Sequence, residues 1–196
     1  MNVKPAIAPK KPKRTRLSAD DRQAQILAVA SEVFRSRPYG DVSLDEIADR
    51  AGVARGLINH HFGTKRDLYL EVAKSTIHAP ELPVPDYVQG QTMRQRIELS
   101  VGGWLDLIES NRAMWLDSLR TGMGDPEIAE LAEQAREKAV DQAVRVMGLG
   151  PVEDLTPERR GLMRAWQALA EGAVVQWLMY DRLSRRQVED LIVESG

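Results

Sequence analysis

The stretch SLDEIADRAGVARGLINHHFGTKRDLY, residues 43–69, decides the fold, because it predicts two short helices joined by a tight turn and followed by a third helix. Ser43 and Glu46 have the spacing of a capping box, in which each side chain accepts a hydrogen bond from the other residue's amide. Gly52 follows the first of these helices, where a glycine lets the backbone take the positive φ of a sharp turn. The pattern therefore indicates a helix-turn-helix.

The second short helix, predicted over residues 54–61, has a polar face that packing does not require. A helix this short is not stable in isolation, so its exposed side chains indicate a binding role. In a helix-turn-helix, the N-terminal residues of this helix enter the major groove of DNA. Arg55 stands there, and a guanidinium can bind guanine O6 and N7 together. The residues predicted to contact DNA are Ser43, Arg55, Gly56, Asn59, His60, His61, Thr64 and Lys65.

This region resembles the DNA-binding part of the TetR family of bacterial transcriptional regulators. The resemblance extends from Arg22 to about Ser75 and rests on many positions at fixed spacing. One position departs from the family: Asn59 stands where a tyrosine is common, so that tyrosine's phosphate contact is not carried over. The Asn59 amide can instead bond a phosphate or an adenine edge. The matching residues are Ile26, Leu27, Ala30, Phe34, Gly40, Ile47, Ala48, Ala51, Gly52, Val53, Gly56, His61, Phe62, Lys65 and Leu68.

Charge is divided unevenly along the 196 residues, although the net charge is only -2. Residues 1–77 carry 14 Lys and Arg against 9 Asp and Glu, whereas the rest carries 13 against 20. A positive first half suits a surface that meets phosphates. Residues 1–16 contain three prolines and no acid, which predicts a disordered basic arm that is either a solvated tail or a DNA contact. Its charges are Lys4, Lys10, Lys11, Lys13, Arg14 and Arg16.

The composition favours an all-α fold of about nine helices, because helix formers dominate and strand-type alternation is not sustained. Residues 79–90, APELPVPDYVQG, contain three prolines and a glycine and predict a boundary. We therefore expect a helix-turn-helix head over residues 17–78 and a second helical domain over residues 79–196. In that domain, helices are predicted to start near Thr92, Asn111, Asp125, Thr156 and Ser184, and the fourth of them to end near Arg182.

The sequence disfavours several other classes of function. The chain contains no cysteine, which excludes disulfides and thiolate catalysis and suits a reducing bacterial cytoplasm. Its apolar runs are too short for a membrane helix, and we expect no membrane partner. His60 and His61 are adjacent and His78 is the only other histidine, so neither a metal site nor another cofactor is expected. Paired carboxylates and phosphate loops are not recognisable, so the chain is not expected to be an enzyme.

For the second domain, the family resemblance implies a small-molecule pocket among the middle helices and a homodimer formed by the last two helices. Ordinary core packing explains each large apolar residue taken singly. The predicted pocket residues are Trp104, Asn111, Trp115, Leu119, Met163, Trp166, Gln167 and Glu171. The predicted interface residues, which suit a four-helix intersubunit bundle, are Leu162, Leu169, Ala173, Val174, Trp177 and Leu178.

Together these patterns predict a homodimeric, ligand-responsive regulator, more often a repressor in this family, that binds a near-palindromic double-stranded DNA operator. A small apolar or amphipathic effector would release the DNA. Two-fold symmetry would place the two recognition helices about 34–36 Å apart, in successive major grooves. The alternative is a helical regulator controlled by a protein partner rather than a small molecule, since the apolar surface suits either.

Overall fold

The computed structural model describes residues 18–77, 91–121 and 125–196. The predicted basic arm over residues 1–16 and the predicted boundary over residues 79–90 lie outside this part of the chain. Across the described ranges the chain forms nine α-helices and two short 3-10 helices without any strand, which confirms the predicted all-α class. The α-helices are α1 (Ala19–Ser36), α2 (Leu44–Ala51), α3 (Arg55–Phe62), α4 (Lys65–Ile77), α5 (Met93–Ser110), α6 (Arg112–Thr121), α7 (Pro126–Met147), α8 (Pro157–Leu178) and α9 (Arg185–Ser195); the 3-10 helices are Tyr39–Asp41 and Val152–Asp154.

Side-chain caps fix the first residue of most helices. The capping boxes begun by Ser18, Thr92 and Ser184 are present at α1, α5 and α9. At α4, the Thr64 amide donates to the Asp67 carboxylate at 2.9 Å, and the Asp67 amide donates to the Thr64 hydroxyl at 3.2 Å. Each box satisfies amides that have no partner inside the helix.

Only one of the two hydrogen bonds of the capping box predicted for α2 is present. Ser43 Oγ accepts from the Glu46 amide at 3.1 Å, as expected. The Glu46 carboxylate, however, binds the guanidinium groups of Arg37 and Arg50. The hydrogen bond from Arg37 is the main cause that holds the pKa of Glu46 below its ordinary value. Two cationic donors therefore hold a carboxylate that the sequence spacing assigned to a backbone amide.

The predicted start of α6 near Asn111 is confirmed, since the helix begins at Arg112, but the predicted end of α8 is wrong. Asn111 does not cap α6 with its side chain, since its Oδ1 accepts no hydrogen bond among the described residues, and its Nδ2 instead donates to the Leu107 carbonyl at 2.7 Å, near the end of α5. The last carbonyls of α5 need donors, and this amide supplies one. Helix α8 ends at Leu178 rather than near Arg182. The chain leaves it through Asp181, whose φ of 51° does not continue an α-helix.

The first hydrophobic cluster holds the head together. Phe34, Ile47, Ile58 and Leu68 bring α1, α2, α3 and α4 into one fully buried group. Phe62 and Tyr69 are also buried. The cluster extends beyond the head to Met114 of α6 and to Ile128 and Leu131 of α7.

The second cluster lies among α5, α7, α8 and α9. Leu105, Val144, Val174 and Ile192 each come from a different one of these helices and are almost completely buried. Helix α7 thus contributes its first turns to the head cluster and its later turns to this one. Helix α7 therefore enters both cores, and residues of α6 also contact both.

The turn between α2 and α3 depends on Gly52, whose φ of 63° and ψ of 37° are left-handed. Its amide donates to the Asp49 carbonyl at 3.1 Å, and the next amide, of Val53, donates to the Ala48 carbonyl at 3.0 Å. These bonds close the end of α2 and direct the chain into α3. The predicted positive φ is confirmed.

Replacing Gly52 with alanine is expected to lower the free energy of unfolding by about 1–2 kcal/mol, the cost of a left-handed non-glycine residue. An added Cβ at Gly52 would meet no heavy atom within 4 Å, so the cost is conformational rather than steric. Gly103, inside α5, has the same open surroundings and no positive φ. Gly103→Ala should therefore raise the free energy of unfolding by about 0.5–1 kcal/mol. Urea unfolding measures both, and effects of the same sign would contradict this account of the turn.

Candidate functional site

The outer faces of α2 and α3 form one polar surface. Ile58 and Phe62 of α3 are buried in the head cluster, so the opposite side of this helix faces solvent. Of the eight residues predicted to contact DNA, His61 and Lys65 are half-buried. The exposed ones are Ser43, Arg55, Gly56, Asn59, His60 and Thr64.

Arg55, the first residue of α3, is paired with an acidic residue that the sequence did not single out. Its Nη1 donates to Asp45 Oδ2 of α2 at 2.8 Å, and both side chains are more than half exposed. The bond engages one guanidinium nitrogen, so the other donors keep their capacity for a second partner. An exposed pair like this contributes little stability, about 0.2–1 kcal/mol. Its effect is to orient the guanidinium.

Lys65 turns toward the protein rather than straight outward. Its Nζ donates to the carbonyl oxygens of Tyr39 at 2.6 Å and Val42 at 2.7 Å, and lies 4.1 Å from the centroid of the Tyr39 ring. The neighbouring Thr64 hydroxyl donates to Asp67 Oδ2 at 2.7 Å. Lys65 therefore holds the start of α4 against the segment before α2, whereas the Thr64 bond lies within the cap of α4.

A second polar contact missed at the sequence level joins α1 to the end of α2. Gln25 Nε2 donates to the Ala51 carbonyl at 3.1 Å, and Arg22 Nη1 donates to Gln25 Oε1 at 2.9 Å. Arg22 is thereby held beside the helix-turn-helix. Sequence spacing carries no signal for this arrangement, because the contact between Gln25 and Ala51 spans two helices.

The head is tied to the rest of the chain by Arg66 of α4. Its Nε and Nη2 donate to the two Asp125 oxygens, each at 2.8 Å, and Nη2 also reaches Glu127 at 2.6 Å. Asp125 at the same time caps α7, since its Oδ1 accepts from the Glu127 amide at 3.1 Å and the Ile128 amide at 3.4 Å. The hydrogen bond from Arg66 is the largest cause that lowers the pKa of Asp125 from 3.8 to about 2.

Asp117 of α6 makes a second connection to the head. Its Oδ2 accepts a hydrogen bond from the Tyr39 amide at 2.6 Å. Asp117 is almost completely buried, and Tyr39 packs edge-on against Tyr69 with ring centroids 5.1 Å apart. Burial raises the pKa of Tyr69, with the Asp117 charge as a further cause. Carboxylates on α6 and at the start of α7, Asp117 and Asp125, therefore both bind the head.

A narrow cavity of about 70 Å³ lies among α5, α7, α8 and α9. Three predicted pocket residues line it, namely Trp104, Trp166 and Gln167, among mostly aliphatic neighbours. The other predicted pocket residues are not part of this lining. They are Asn111 at the end of α5, Trp115 and Leu119 on α6, and Met163 and Glu171 on α8.

The residues predicted for a dimer interface divide into two groups. Ala173, Val174 and Leu178 are buried in the second cluster of their own chain, and Trp177 packs against it. Leu162 and Leu169 are exposed, by 66% and 40%. They lie on an exposed face of α8 that consists of small or apolar residues, most of which were not among the predicted interface residues. The residues of this face are Gly161, Leu162, Ala165, Ala168, Leu169 and Gly172.

The described ranges contain neither a cluster of metal-binding side chains nor a helix suited to a membrane. Throughout the described ranges, His, Asp and Glu side chains do not gather in threes that could hold a metal ion. The rings of His60 and His61 stand edge to face, 5.5 Å apart. None of the helices in the same ranges has both the length and the apolar character to cross a membrane.

Comparison with known families identifies both halves of the chain. Residues 26–72 match the family described as bacterial regulatory proteins, tetR family, and residues 93–196 match the tetracyclin repressor-like C-terminal domain. The chain belongs to the TetR family. Proteins of this family are transcriptional regulators with a DNA-binding helix-turn-helix, and the relatives of this chain are regulators rather than enzymes.

Individual relatives of this TetR-family chain support the same assignment. The transcriptional activator FasR of Mycolicibacterium smegmatis is 34% identical over 128 residues, which are 64% of this chain and 58% of FasR. The regulator EthR of Mycobacterium tuberculosis is 24% identical over 155 residues, 74% of this chain and 72% of EthR. In fold, the chain resembles the crystal structure of a tetR-family regulator from Streptomyces coelicolor, with a TM-score of 0.75, 24% identity, and coverage of 90% of this chain and 79% of that one.

Replacing Arg66 with alanine is expected to lower the thermal unfolding midpoint by a few degrees, because it leaves the partly buried Asp125 with only the α7 amides. Since the pKa of Asp125 is depressed, this contribution is full above about pH 4 and disappears as the pH falls toward 2. Thermal melts from pH 7 to pH 2 should therefore show the wild-type and Arg66→Ala curves converging.

Arg94→Ala is the matched control, since Arg94 makes one exposed pair with Glu98 within α5. An equal loss at pH 7 from Arg66→Ala and Arg94→Ala would contradict a special role for the contact between α4 and α7.

Proposed function

We propose that this TetR-family chain acts at the bacterial nucleoid as a homodimeric repressor of a near-palindromic operator, and that a small apolar or amphipathic effector releases it. The observation that carries the proposal is the double role of α7. Its first turns hold the head through Asp125 and Ile128, and its later turns line the cavity with Ala143 and Met147. A molecule in the cavity thus contacts the helix that positions the DNA-binding surface.

Exposure and geometry support base reading by α3. Arg55 stands at the N-terminal end of the helix, where recognition helices meet base edges, and its bond to Asp45 points it in one direction. A bidentate bond from an arginine to guanine discriminates against other bases by about 1–3 kcal/mol. Asn59 and His60 are exposed further along the same helix and are assigned weaker base contacts.

Phosphate contacts are assigned to the residues that flank this helix. Ser43 at the start of α2, and His61 and Thr64 at the junction of α3 and α4, are accessible to different degrees. Gly56 gives the DNA backbone room, since no side chain projects there. Lys65 keeps its two carbonyl contacts and contributes its positive charge to the surface.

The exposed face of α8 supports a dimer. Small residues at Gly161, Ala165, Ala168 and Gly172 recur every three or four positions, so they line one side of the helix. A face of small residues lets a second helix approach closely, while Leu162 and Leu169 supply apolar area. Two copies related by a two-fold axis would each offer the same face, as an isologous contact requires.

Release of DNA follows if the effector prefers one arrangement of the heads. The cavity is too small in this state for a molecule that fills about 300 Å³, so binding would separate the helices that line it. Helix α7 would transmit that shift to Arg66 and the head. A change from 99% to 1% of the binding-competent state needs about 5.5 kcal/mol of differential affinity.

Arg55→Ala is expected to weaken binding to the selected operator by about 1–3 kcal/mol and to remove the preference for one base pair in each half-site. The operator is obtained by selection from random duplexes, and affinity is measured by gel shift at several salt concentrations. Arg50→Ala removes the same charge from an exposed α2 residue paired with Glu46. This control should lower affinity without changing base preference. Unchanged preference in Arg55→Ala would show that α3 is wrongly placed on DNA.

The regulatory part is tested with a reporter driven by the DNA upstream of the chain's own gene. Repression predicts that expression of the protein lowers reporter output and that an effector restores it. A rise in output would contradict repression and agree with the activator named among the relatives. Absence of any sequence-specific shift at moderate salt, with a folded dimer present, would refute the proposal altogether.

Leu169→Glu is expected to convert the dimer to monomer, because two carboxylates would be buried against an apolar face at the two-fold axis. Leu99→Glu is the matched control, since Leu99 is 54% exposed on α5, a helix that the proposed interface does not include. Sedimentation velocity measures both variants. A dimeric Leu169→Glu protein, or a monomeric Leu99→Glu protein, would place the interface elsewhere.

A further inference from the structure

The wall of the cavity contains a polar relay that crosses from α8 to α7. Gln167 is buried, lines the cavity, and donates from Nε2 to Glu171 Oε2 at 3.2 Å. The Glu171 carboxylate in turn accepts two bonds from Arg136, from Nε at 2.9 Å and from Nη2 at 3.0 Å. The relay therefore links the cavity to a bidentate ion pair behind its wall.

This ion pair fixes the orientation of the Gln167 amide. Burial opposes ionisation of Glu171, but the hydrogen bonds from Arg136 and Gln167 outweigh it, and the pKa of Glu171 lies below its ordinary value. An ionised carboxylate only accepts hydrogen bonds. The NH₂ group of Gln167 must therefore face Glu171, which keeps Oε1 and the second N–H for another partner. A flipped amide would set two oxygens against each other.

The rest of the lining has no charge to offer a ligand. None of the side chains described around the cavity is ionisable, and the two large ones are the indoles of Trp104 and Trp166. The Trp166 Nε1 donor is already bonded to the Ile192 carbonyl at 3.3 Å and to Ser195 Oγ at 3.2 Å. That indole therefore contributes its apolar ring to the cavity rather than its polar edge.

Charge selection follows from these contacts. A buried ion without a counterion is strongly disfavoured. A carboxylate beside Gln167 would also lie near the negative charge of Glu171, and Arg136, which binds Glu171, is already engaged on both of its carboxylate oxygens. An ammonium group would be repelled by the positive charge of Arg136, and the lining contains no unpaired carboxylate to bind it.

We propose that this cavity takes an uncharged, mainly apolar molecule that carries one hydroxyl or amide group, and that Gln167 binds that group while the two indoles contact its body. The inference rests on the proposed function, in which the cavity receives the effector. It specifies the ligand's charge and the residue that recognises its polar end.

Benzyl alcohol, benzoate and benzylammonium test the charge selection, because they share one ring and differ in charge at pH 7. Binding is followed in ¹H–¹⁵N spectra of the full-length protein, where the four tryptophan indole groups give separate signals. Benzyl alcohol should shift the Trp104 and Trp166 signals and bind at least 10-fold more tightly than either ion. Equal or tighter binding of an ion, or no binding of the alcohol, would overturn the inference.

Toluene and Gln167→Leu test the polar contact. One hydrogen bond of about 1 kcal/mol corresponds to roughly a 5-fold change in affinity. Gln167→Leu should lower the affinity for benzyl alcohol by about that factor and leave the affinity for toluene unchanged or higher. A general loss of structure would instead lower the affinity for both molecules. An equal loss for both molecules would contradict recognition by Gln167.

The inference and the proposed function fail in different ways. Tight binding of an ion, with a matching loss of operator affinity in the gel shift, would refute the uncharged ligand and support effector control. Selective binding of benzyl alcohol supports the ligand class. If neither that probe nor any member of a metabolite library altered operator affinity, ligand-responsive regulation would be refuted while the ligand class stood.

Discussion

Helix α7 is the constraint on which the two halves of the chain depend. Its apolar residues enter both hydrophobic clusters, with Ile128 in the first and Val144 in the second. The Asp125 carboxylate at its N-terminus accepts hydrogen bonds from both the α7 amides and the Arg66 guanidinium. Any rotation of α7 must therefore be accommodated in the head and in the cavity together. Packed interiors shift between discrete arrangements rather than deform continuously, so such a helix can transmit a small displacement.

The features of the fold that could be predicted from the sequence are those set by residues close together in the chain, such as helix caps and turns. Caps such as Ser184, the left-handed Gly52 and the proline that starts α7 act within a few residues of themselves. The wrong predictions concern places where a distant or competing interaction determines the structure. Glu46 has the right spacing for a capping box, but two arginines supplied by the fold bind it instead. The end of α8 depended on Asp181, whose backbone angle has no sequence signature.

The site was less predictable because its decisive contacts join residues far apart in sequence. Arg66 and Asp125 are separated by 59 positions, and Arg136 and Glu171 by 35. Similar apolar residues on α8 also face opposite ways. Val174 is buried and Leu162 is exposed, and only the packing of α5, α7 and α9 around this helix distinguishes the two. Composition and periodicity identified the helix but not the direction of each side chain.

The bond between Arg55 and Asp45 has a consequence for how a regulator searches a chromosome. A genome presents about 10⁶–10⁹ competing non-specific sites, so occupancy of the operator depends on the ratio of affinities rather than on affinity alone. An exposed carboxylate beside the arginine cancels much of its attraction to phosphates in general, because the charge is already paired. If Arg55 reads guanine, only the correct base offers acceptors that replace or join Asp45. The acidic neighbour then shortens the time lost on wrong sequences.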